Sequence, residues 1–328
     1  MKLRAILQTF FAALAWGASD TQPGATAVLD DSCRDAPLSL VQSRASSRGK
    51  GASQQAGPKP WEKHYYFVGT HHKSGSQLLR DVMTHAFDTL GAPSSCHWNP
   101  TGTSAITAAD HDHVCSDRLD IPIQWDNGAR IGNFAMARKA ASFRQLPIRG
   151  AHAIRKPKDM LVSAYCYHHR GEEYGHYAGA PWPEIMFMGP LEGFMALWPA
   201  MMQNIQTMVD VYTNTSADEM FHVRFEEVTK SSEGFDDVVQ RLFHFLFAPT
   251  VPESGLSRLW QAAKVEDLNV NPTYNNTISE NGHSNDKDCM QAAQESLLEL
   301  DPRWLQQLKD MQEQLGYSIE NWPDPVTS

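Results

Sequence analysis

A lysine, a glycine and two serines stand close together in the stretch VGTHHKSGSQLLRDVM, at a spacing that suits phosphate binding. They occupy Lys73–Ser76, between an apolar run that ends at Gly69 and a segment of helical periodicity that begins near Leu78. The first backbone N–H groups of a helix have no partner within the helix, so they bind anions readily. Gly75 allows the backbone to approach a ligand closely, and serine hydroxyls add donors. An ordinary helix cap would explain the serines but not the lysine, so the pattern predicts a phosphate-binding turn.

The order of residues in this turn differs from that of nucleotide triphosphatases. In the triphosphatase pattern the lysine follows the second glycine of a glycine-rich loop, whereas Lys73 precedes Gly75 here. No acidic residue stands in a recognisable position to hold magnesium. The turn therefore predicts one terminal phosphate with a reactive group beyond it, rather than a metal-bound triphosphate.

A second turn, in the stretch IRKPKDMLVSAYCYHH, carries an arginine and a serine. Arg155 ends an apolar run, Pro157 restricts the turn, and Asp159 is expected to cap a following helix. Ser163 comes one helical turn later. A guanidinium group matches the geometry of phosphate oxygens. Although a surface arginine and a helical serine would be unremarkable alone, the presence of two such turns predicts that Arg155 and Ser163 converge on a second phosphate.

The elements around the two turns alternate between strand and helix. Apolar and β-branched runs predict strands, and apolar residues at helical spacing predict helices that alternate with them. Alternation of this kind indicates an α/β fold, a P-loop-like three-layer arrangement with a central parallel sheet flanked by helices. Ligands bind beyond the carboxyl ends of such strands, where both turns lie. The predicted strands are 64–69, 121–125, 149–154 and 221–225, and the predicted helices are 78–90, 159–169, 136–146, 235–247 and 301–315.

The N-terminal region predicts a targeting segment followed by a linker. Lys2 and Arg4 precede an apolar run, Ala5–Trp16, that is short for a bilayer span. Residues 1–18 are therefore interpreted as a signal peptide or an uncleaved signal-anchor, since a transit peptide would be richer in arginine and serine. Residues 19–60, rich in Ser, Gly, Ala, Gln and Pro, are interpreted as a flexible stem. Residues 61–328 are predicted to form the folded domain.

Charge and cysteine content narrow the class of protein further. The formal net charge of −10 argues against a general binder of nucleic acid or acidic membranes. One or two disulfides are expected, with Cys96 and Cys115 closing a short loop and Cys33 left as the odd thiol. The cysteines show no paired CxxC spacing, so a zinc site is not expected. Two sequons, at Asn214 and Asn275, fit a glycoprotein of the secretory pathway, either in the Golgi lumen or secreted.

The two turns together resemble the donor-binding motifs of the sulfotransferases. Lys73–Ser76 followed by Leu78 looks like their 5'-phosphosulfate loop, and Arg155-x-Pro157-x-Asp159 with Ser163 is similar to their 3'-phosphate motif. The stretch VRFEEV resembles a later strand, and the likeness runs from about Tyr65 to Tyr317. It implies a donor substrate, 3'-phosphoadenosine 5'-phosphosulfate (PAPS), bound without metal. The donor-binding residues implied are Lys73, Ser74, Gly75, Ser76, Gln77, Arg155, Ser163 and Lys287. Lys287 lies in the stretch NGHSNDKD, which departs from the usual donor loop of the family.

The resemblance also implies catalytic residues. Lys73 would stabilise the leaving group, and a side-chain base would accept a proton from the acceptor. His97 is the first candidate for this base, with Asp126 and His72 as alternatives. The sequence departs from the family at Gln77, where many members carry threonine, and at the two histidines before Lys73.

Three functions are compatible with these features. The first is sulfuryl transfer from PAPS to a hydroxyl, or an amine, of a carbohydrate, protein or small molecule. The second is non-catalytic nucleotide binding by a secreted protein, and the third is phosphoryl transfer on a similar sheet. The intact donor turns favour the first. The Trp- and Met-rich segment 182–202 is expected to line an apolar acceptor pocket if the acceptor is apolar.

Overall fold

The structure, a computed structural model, describes residues 58–93, 95–98, 115, 120–171, 181–248, 250–270 and 287–323. The predicted signal segment 1–18 and nearly all of the predicted stem 19–60 lie outside these ranges, as do Cys33 and Asn275. The elements described below all belong to one unit, Gln54–Ser328.

Among the described residues, five parallel strands form the central sheet. They are β1 (Tyr65–Thr70), β2 (Cys96–Trp98), β3 (Ile123–Asn127), β4 (Ile148–Ile154) and β5 (Met220–Arg224), in the spatial order β2-β3-β1-β4-β5. Every residue of the central strand β1 is buried, as expected for a parallel sheet that is covered on both faces.

Helices cover the two faces of this sheet. They are α1 (Ser76–Leu90), α2 (Ile131–Phe143), α3 (Pro157–His169), α4 (Pro190–Thr213), α5 (Phe225–Thr229), α6 (Ser232–Phe247), α7 (Glu253–Ala263), α8 (Lys287–Leu297) and α9 (Pro302–Gln314). Short 3-10 turns lie at Pro60–Glu62, Glu184–Phe187 and Lys264–Glu266. This is the predicted three-layer α/β arrangement, which the structure confirms.

Side chains alternate between the two faces of β1 and thereby join two cores. Tyr66 and Val68 pack with α1, α6 and α7. Tyr65 and Phe67 pack on the opposite face with α2, where the rings of Phe67 and Phe134 meet edge to face at a centroid distance of 5.2 Å. A third core joins α3, α4, α8 and α9. The sheet is therefore held rigidly at the strands that carry the two turns.

The strand order creates a crevice between β1 and β4. These strands are neighbours, yet the chain leaves β1 through α1 toward β2 and leaves β4 toward β5 on the opposite side. Loops diverge at such a point beyond the carboxyl ends of the strands, and ligands bind there in open α/β sheets. Both predicted phosphate turns follow the two strands that form this crevice.

Several predicted boundaries differ from the observed ones. Helix α3 begins at Pro157, because proline suits the first helical position and lacks only an N–H that would have no partner. The prediction that Asp159 caps α3 is wrong, since Asp159 lies within the first turn and pairs with the Nζ of Lys158 at 2.6 Å. Phe225, predicted to end a strand, begins α5, whose acidic first turn favours a helix start.

The segment 182–202 belongs largely to the core rather than to a pocket wall. It contributes the first half of α4, with Phe194, Leu197 and Met201 fully buried. The Trp198 ring stacks on Trp304 of α9 at 4.4 Å. Because α4 is apolar around much of its circumference, its sequence shows little of the amphipathic period that identifies surface helices.

Two disulfides lie within the described part of the chain. Cys96 and Cys115 are bonded, as the sequence predicts, and Cys166 of α3 is bonded to Cys289 of α8. Within the described ranges, the helices are too short or too polar to cross a membrane.

Candidate phosphate-binding site

The first turn connects β1 to α1 and leaves the start of α1 available to an anion. Gly75 is the N-cap residue, and the first backbone bond into the helix runs from the N–H of Leu79 to the carbonyl of Gly75 at 3.0 Å. The N–H groups of Ser76, Gln77 and Leu78 therefore have no partner inside the helix. Such groups, together with the helix dipole, favour a phosphate at this position.

Gly75 is required by the packing around the turn. Its φ of 93° lies in the left-handed region, and a Cβ there would approach Cδ2 of Phe225 to 2.6 Å. Any side chain would therefore be strained and would displace the Phe225 ring. Phe225, the first residue of α5, forms the floor beneath the turn, a role that its place in the VRFEEV stretch did not indicate.

Lys73 lies in the turn with an unusual backbone. Its φ of 64° is left-handed, which costs a non-glycine residue about 1–2 kcal/mol. The Nζ of Lys73 lies 3.7 Å from the centre of the Tyr167 ring on α3. This cation–π contact holds the ammonium group between the first turn and α3.

The serines of the turn form hydrogen bonds within it. Ser74 Oγ accepts from the N–H of His71 at 3.0 Å and donates to the carbonyl of His71 at 2.9 Å. Ser76 Oγ donates to the same carbonyl at 2.6 Å. Short hydroxyl side chains commonly bond to nearby backbone in this way. Both hydroxyls thus donate to the His71 carbonyl, while the first N–H groups of α1 have no partner within the helix. The assignment of Ser74 and Ser76 to a phosphate stays a prediction.

The second turn meets the first directly. The side chain of Arg155 is 4 % exposed, and its Nη1 donates to the carbonyl of Lys73 at 3.2 Å. The guanidinium lies 4.2 Å from the centre of the Phe225 ring. Burial lowers the pKa of Arg155, while the nearby carboxylates of Asp159 and Glu226 oppose that shift. The structure therefore brings the two basic residues that the sequence singled out into one crevice.

Glu226 accepts two hydrogen bonds beside the second turn. One of its carboxylate oxygens accepts from the backbone N–H of Lys156 at 2.8 Å, and the other accepts from the hydroxyl of Tyr317 at 2.7 Å. Ser163, on α3, is buried. Arg155 follows β4 and Ser163 lies in α3, so both belong to one strand–turn–helix unit. Their convergence on a phosphate stays a prediction.

Two further predicted contacts lie farther from the turns. The side chain of Gln77 donates to Asp81 at 2.9 Å, one turn along α1. Lys287 is the exposed first residue of α8, and the described residues give it no contact with either turn. The rest of the stretch 281–286 lies outside the described residues, so the assignment of Lys287 stays a prediction.

The three candidate bases occupy different settings. The backbone of His97 lies in β2, opposite Trp125 of β3, and its side chain is outside the described part of the chain. Asp126 is buried and accepts hydrogen bonds from the N–H of Arg130 and the amide of Asn133, and burial raises its pKa to about 6. It therefore also caps the start of α2.

His72 lies directly beside Lys73. Its Nε2 is 3.2 Å from the Nε2 of His168 on α3. Burial, followed by the charges of Lys73 and His168, lowers the pKa of His72 well below its usual value. His72 is therefore neutral near physiological pH and has the protonation state of a proton acceptor.

Three histidines, His71, His152 and His222, lie in a row that runs from the first turn across β4 to β5. His71 Nε2 lies 2.8 Å from His152 Nε2 of β4, and His152 Nδ1 lies 3.0 Å from His222 Nδ1 of β5. Burial lowers the pKa of His71 to about 3 and that of His222 to about 4, so both rings are neutral. These histidines were not among the predicted site residues; the signal for them in the sequence is the single histidine within the strand RGAHAI.

The fold is distantly similar to that of a solved structure. The crystal structure of mouse sulfotransferase SULT7A1 complexed with PAP matches with a TM-score of 0.38 and 13% identity, covering 83% of this chain and 92% of that chain. No protein-family profile matches the sequence, and no curated protein does.

Proposed function

We propose that this protein is a sulfotransferase that moves the sulfuryl group of PAPS to a hydroxyl, or an amine, of an acceptor, with carbohydrate as the preferred class. One observation carries the proposal: the Arg155 guanidinium donates to the Lys73 carbonyl at 3.2 Å, so the two basic turns meet in the β1/β4 crevice. PAPS presents one phosphate on each side of its ribose, which suits one basic turn for each.

The residues divide between binding and chemistry. The N–H groups of Ser76, Gln77 and Leu78 would hold the 5'-phosphosulfate, and Arg155 with Ser163 would hold the 3'-phosphate. In the reaction the acceptor oxygen bonds to sulfur, the bond from sulfur to the bridging phosphate oxygen breaks, and the acceptor proton passes to a base. Lys73 would neutralise charge on the departing oxygen. His97 is the proposed base, with His72 and Asp126 as the alternatives.

The competing functions make different demands on the site. A phosphotransferase would need a lysine after the glycine and a metal-bound triphosphate, and the Lys-Ser-Gly-Ser order does not provide that loop. A non-catalytic binding protein would bind the bisphosphate product without transferring sulfate. The position of Lys73 beside the start of α1, where charge would develop on the leaving oxygen, favours an enzyme.

Ligand binding tests the proposal without knowledge of the acceptor. We expect 3',5'-adenosine bisphosphate, without magnesium, to raise the unfolding temperature by several degrees at a hundredfold excess over its Kd, since such an excess stabilises by about 2.7 kcal/mol. 5'-AMP, which lacks the 3'-phosphate that Arg155 would bind, should stabilise far less. ATP with magnesium should also stabilise less. The unfolding temperature is measured by thermal shift with each of the three ligands, and the affinities are confirmed by calorimetric titration. Equal stabilisation by ATP, or a strict metal requirement, would overturn the proposal.

We also propose that the folded domain faces the lumen of the secretory pathway, in the Golgi or outside the cell. The two disulfides suit an oxidising compartment, and the sequon residue Asn214 is exposed at the end of α4. In a eukaryotic cell, glycosidase treatment should increase the electrophoretic mobility of the protein, and Asn214→Gln should remove one step of that shift. An unchanged mobility together with cytosolic fractionation would contradict this localisation.

A further inference from the structure

Helix α4 contacts the first turn through the side chain of Asn204. The Oδ1 of Asn204 accepts from the backbone N–H of His72 at 3.3 Å. The Nδ2 of the same amide donates to the backbone carbonyl of His72 at 3.0 Å. One side chain thus binds both main-chain groups of the residue that precedes Lys73.

This double contact constrains the part of the turn that is under strain. The bonds to His72 restrain the peptide groups on both sides of that residue, including the one that leads into Lys73. Lys73 has a φ of 64°, and a non-glycine residue stays in this region only where its surroundings hold it there. The Asn204 amide supplies the acceptor on its oxygen and the donor on its nitrogen. Aspartate, of the same size, would present a second acceptor to the His72 carbonyl.

A neighbouring residue on the same helix reaches the preceding position of the turn. Thr207 lies three residues after Asn204, on the same side of α4. Its Oγ1 lies 3.4 Å from Nδ1 of His71 and donates to the backbone carbonyl of Asn204 at 2.7 Å. Two successive residues of the turn, His71 and His72, are therefore both supported by α4.

We propose that Asn204 is a positioning residue for the donor turn. It holds the backbone from which Lys73 and the first N–H groups of α1 face the 5'-phosphosulfate, while both of its own polar groups are bonded to His72. The inference rests on the proposed function for the identity of the ligand. The positioning itself rests on contacts between α4 and the turn.

Affinity for 3',5'-adenosine bisphosphate tests this role. We expect Asn204→Asp to weaken binding by tenfold or more, because it removes the donor and opposes two acceptors. Asn204→Ala should weaken binding several-fold. The matched control is Gln206→Ala, two residues along α4, whose exposed side chain donates to Asp210 instead of the turn; its affinity should equal that of the wild type.

A double-mutant cycle with Lys73→Ala separates positioning from general loss of structure. The bisphosphate already carries the charge of the departed oxygen, so Lys73→Ala should weaken its binding even if donor affinity is little changed. If Asn204 acts through the turn, Asn204→Ala should then cost less affinity when Lys73 is already absent, so the two losses should not add. Additive losses, or wild-type affinity in Asn204→Ala, would overturn the proposal. Circular dichroism and the unfolding temperature identify any variant that fails to fold.

Hydrogen exchange of the turn gives a readout that needs no ligand. The amide of His72 and its neighbours should exchange faster in Asn204→Ala than in the wild type and in Gln206→Ala. Unchanged exchange would refute the contact's role in holding the turn. A wild-type protein that does not bind the bisphosphate would overturn the proposed function, and the exchange rates would then still decide whether Asn204 holds the turn.

Discussion

Lys73→Ala is expected to lower the turnover rate about 10²–10³-fold at saturating PAPS, the size of effect seen when one donor to a developing negative charge is removed. Lys73 belongs to the turn proposed to hold the 5'-phosphosulfate, and its ammonium group lies 3.7 Å from the centre of the Tyr167 ring. Charge grows on the bridging oxygen only as the bond to sulfur breaks. An interaction that strengthens in the transition state affects turnover rather than ground-state binding.

Arg155→Ala is the matched comparison for this first prediction. Its proposed phosphate does not react, so the contact should be equal in the ground and transition states. The loss should therefore weaken donor and bisphosphate binding by about 1.5–3 kcal/mol, the range for a hydrogen bond to a charged group. Turnover at saturating donor should change little. Lys139→Ala, an exposed lysine on α2, serves as the control for loss of positive charge.

Steady-state kinetics with varied PAPS and a panel of hydroxyl acceptors, with titration of the bisphosphate, distinguishes these outcomes. A Lys73→Ala protein with normal turnover and weakened donor affinity would show that Lys73 does not serve the leaving group. His97→Ala should lower turnover and leave bisphosphate affinity unchanged. If His97→Ala is fully active, His72 and Asp126 become the candidates for the base.

The protein is expected to lose several kcal/mol of stability as the pH falls from about 6.5 to about 4. Histidine in the unfolded chain binds its proton near pH 6.5, whereas burial lowers the pKa of His168 and His222 to about 4 and that of His71 to about 3. Between these values the unfolded state binds more protons than the folded state, so the free energy of unfolding decreases as the pH falls. The lowered pKa of His168 alone corresponds to a loss of about 3 kcal/mol in the free energy of unfolding, at about 1.36 kcal/mol for each unit by which the pKa is lowered.

Asp126 and His85 have a raised pKa and therefore the opposite effect on the free energy of unfolding. They are fewer than the histidines with a lowered pKa. Burial raises the pKa of Asp126 to about 6, so this group gains stability as the pH falls through the same range. The hydrogen bond to Glu266 raises the pKa of His85, so the stability that this group contributes is gained as the pH falls toward 6.5 and stays constant below that value. The histidines with lowered pKa include the three named above together with His72 and His152, so the net slope should follow them.

Urea unfolding at a series of pH values measures this dependence. His168→Asn should reduce the slope of stability against pH between 4 and 6.5, even if the substitution itself destabilises the protein at pH 7. His244→Gln is the control, because the side chain of His244 is 48% exposed, beside Glu253, and its removal should leave the slope nearly unchanged. A wild-type stability that is flat over this range would show that these histidines are not neutral in the folded state.

Local features of the chain were predictable because their causes lie within a few residues. The left-handed glycine at Gly91 ends α1 as expected. The strands β1 and β4 follow from apolar runs, and the turn after each follows from its glycine or proline. The bond between Cys96 and Cys115 joins residues only 19 apart. Predicted helix starts were wrong in two ways. Proline favours an earlier first turn for α3, at Pro157, whereas α2 begins at Ile131 rather than at the predicted residue 136, without a proline or an acidic residue in its first turn.

The sequence by itself determined the chemical character of the site: a basic, glycine-containing turn after one buried strand, and an arginine after another. Only the tertiary structure decided which groups meet there. Arg155 reaches the Lys73 carbonyl across 82 residues and Asn204 reaches His72 across 132, while Phe225 closes the space beneath Gly75. These contacts depend on strand order and on which helix covers which face. Both are set by burial of the whole sheet, a property that no local pattern of residues contains.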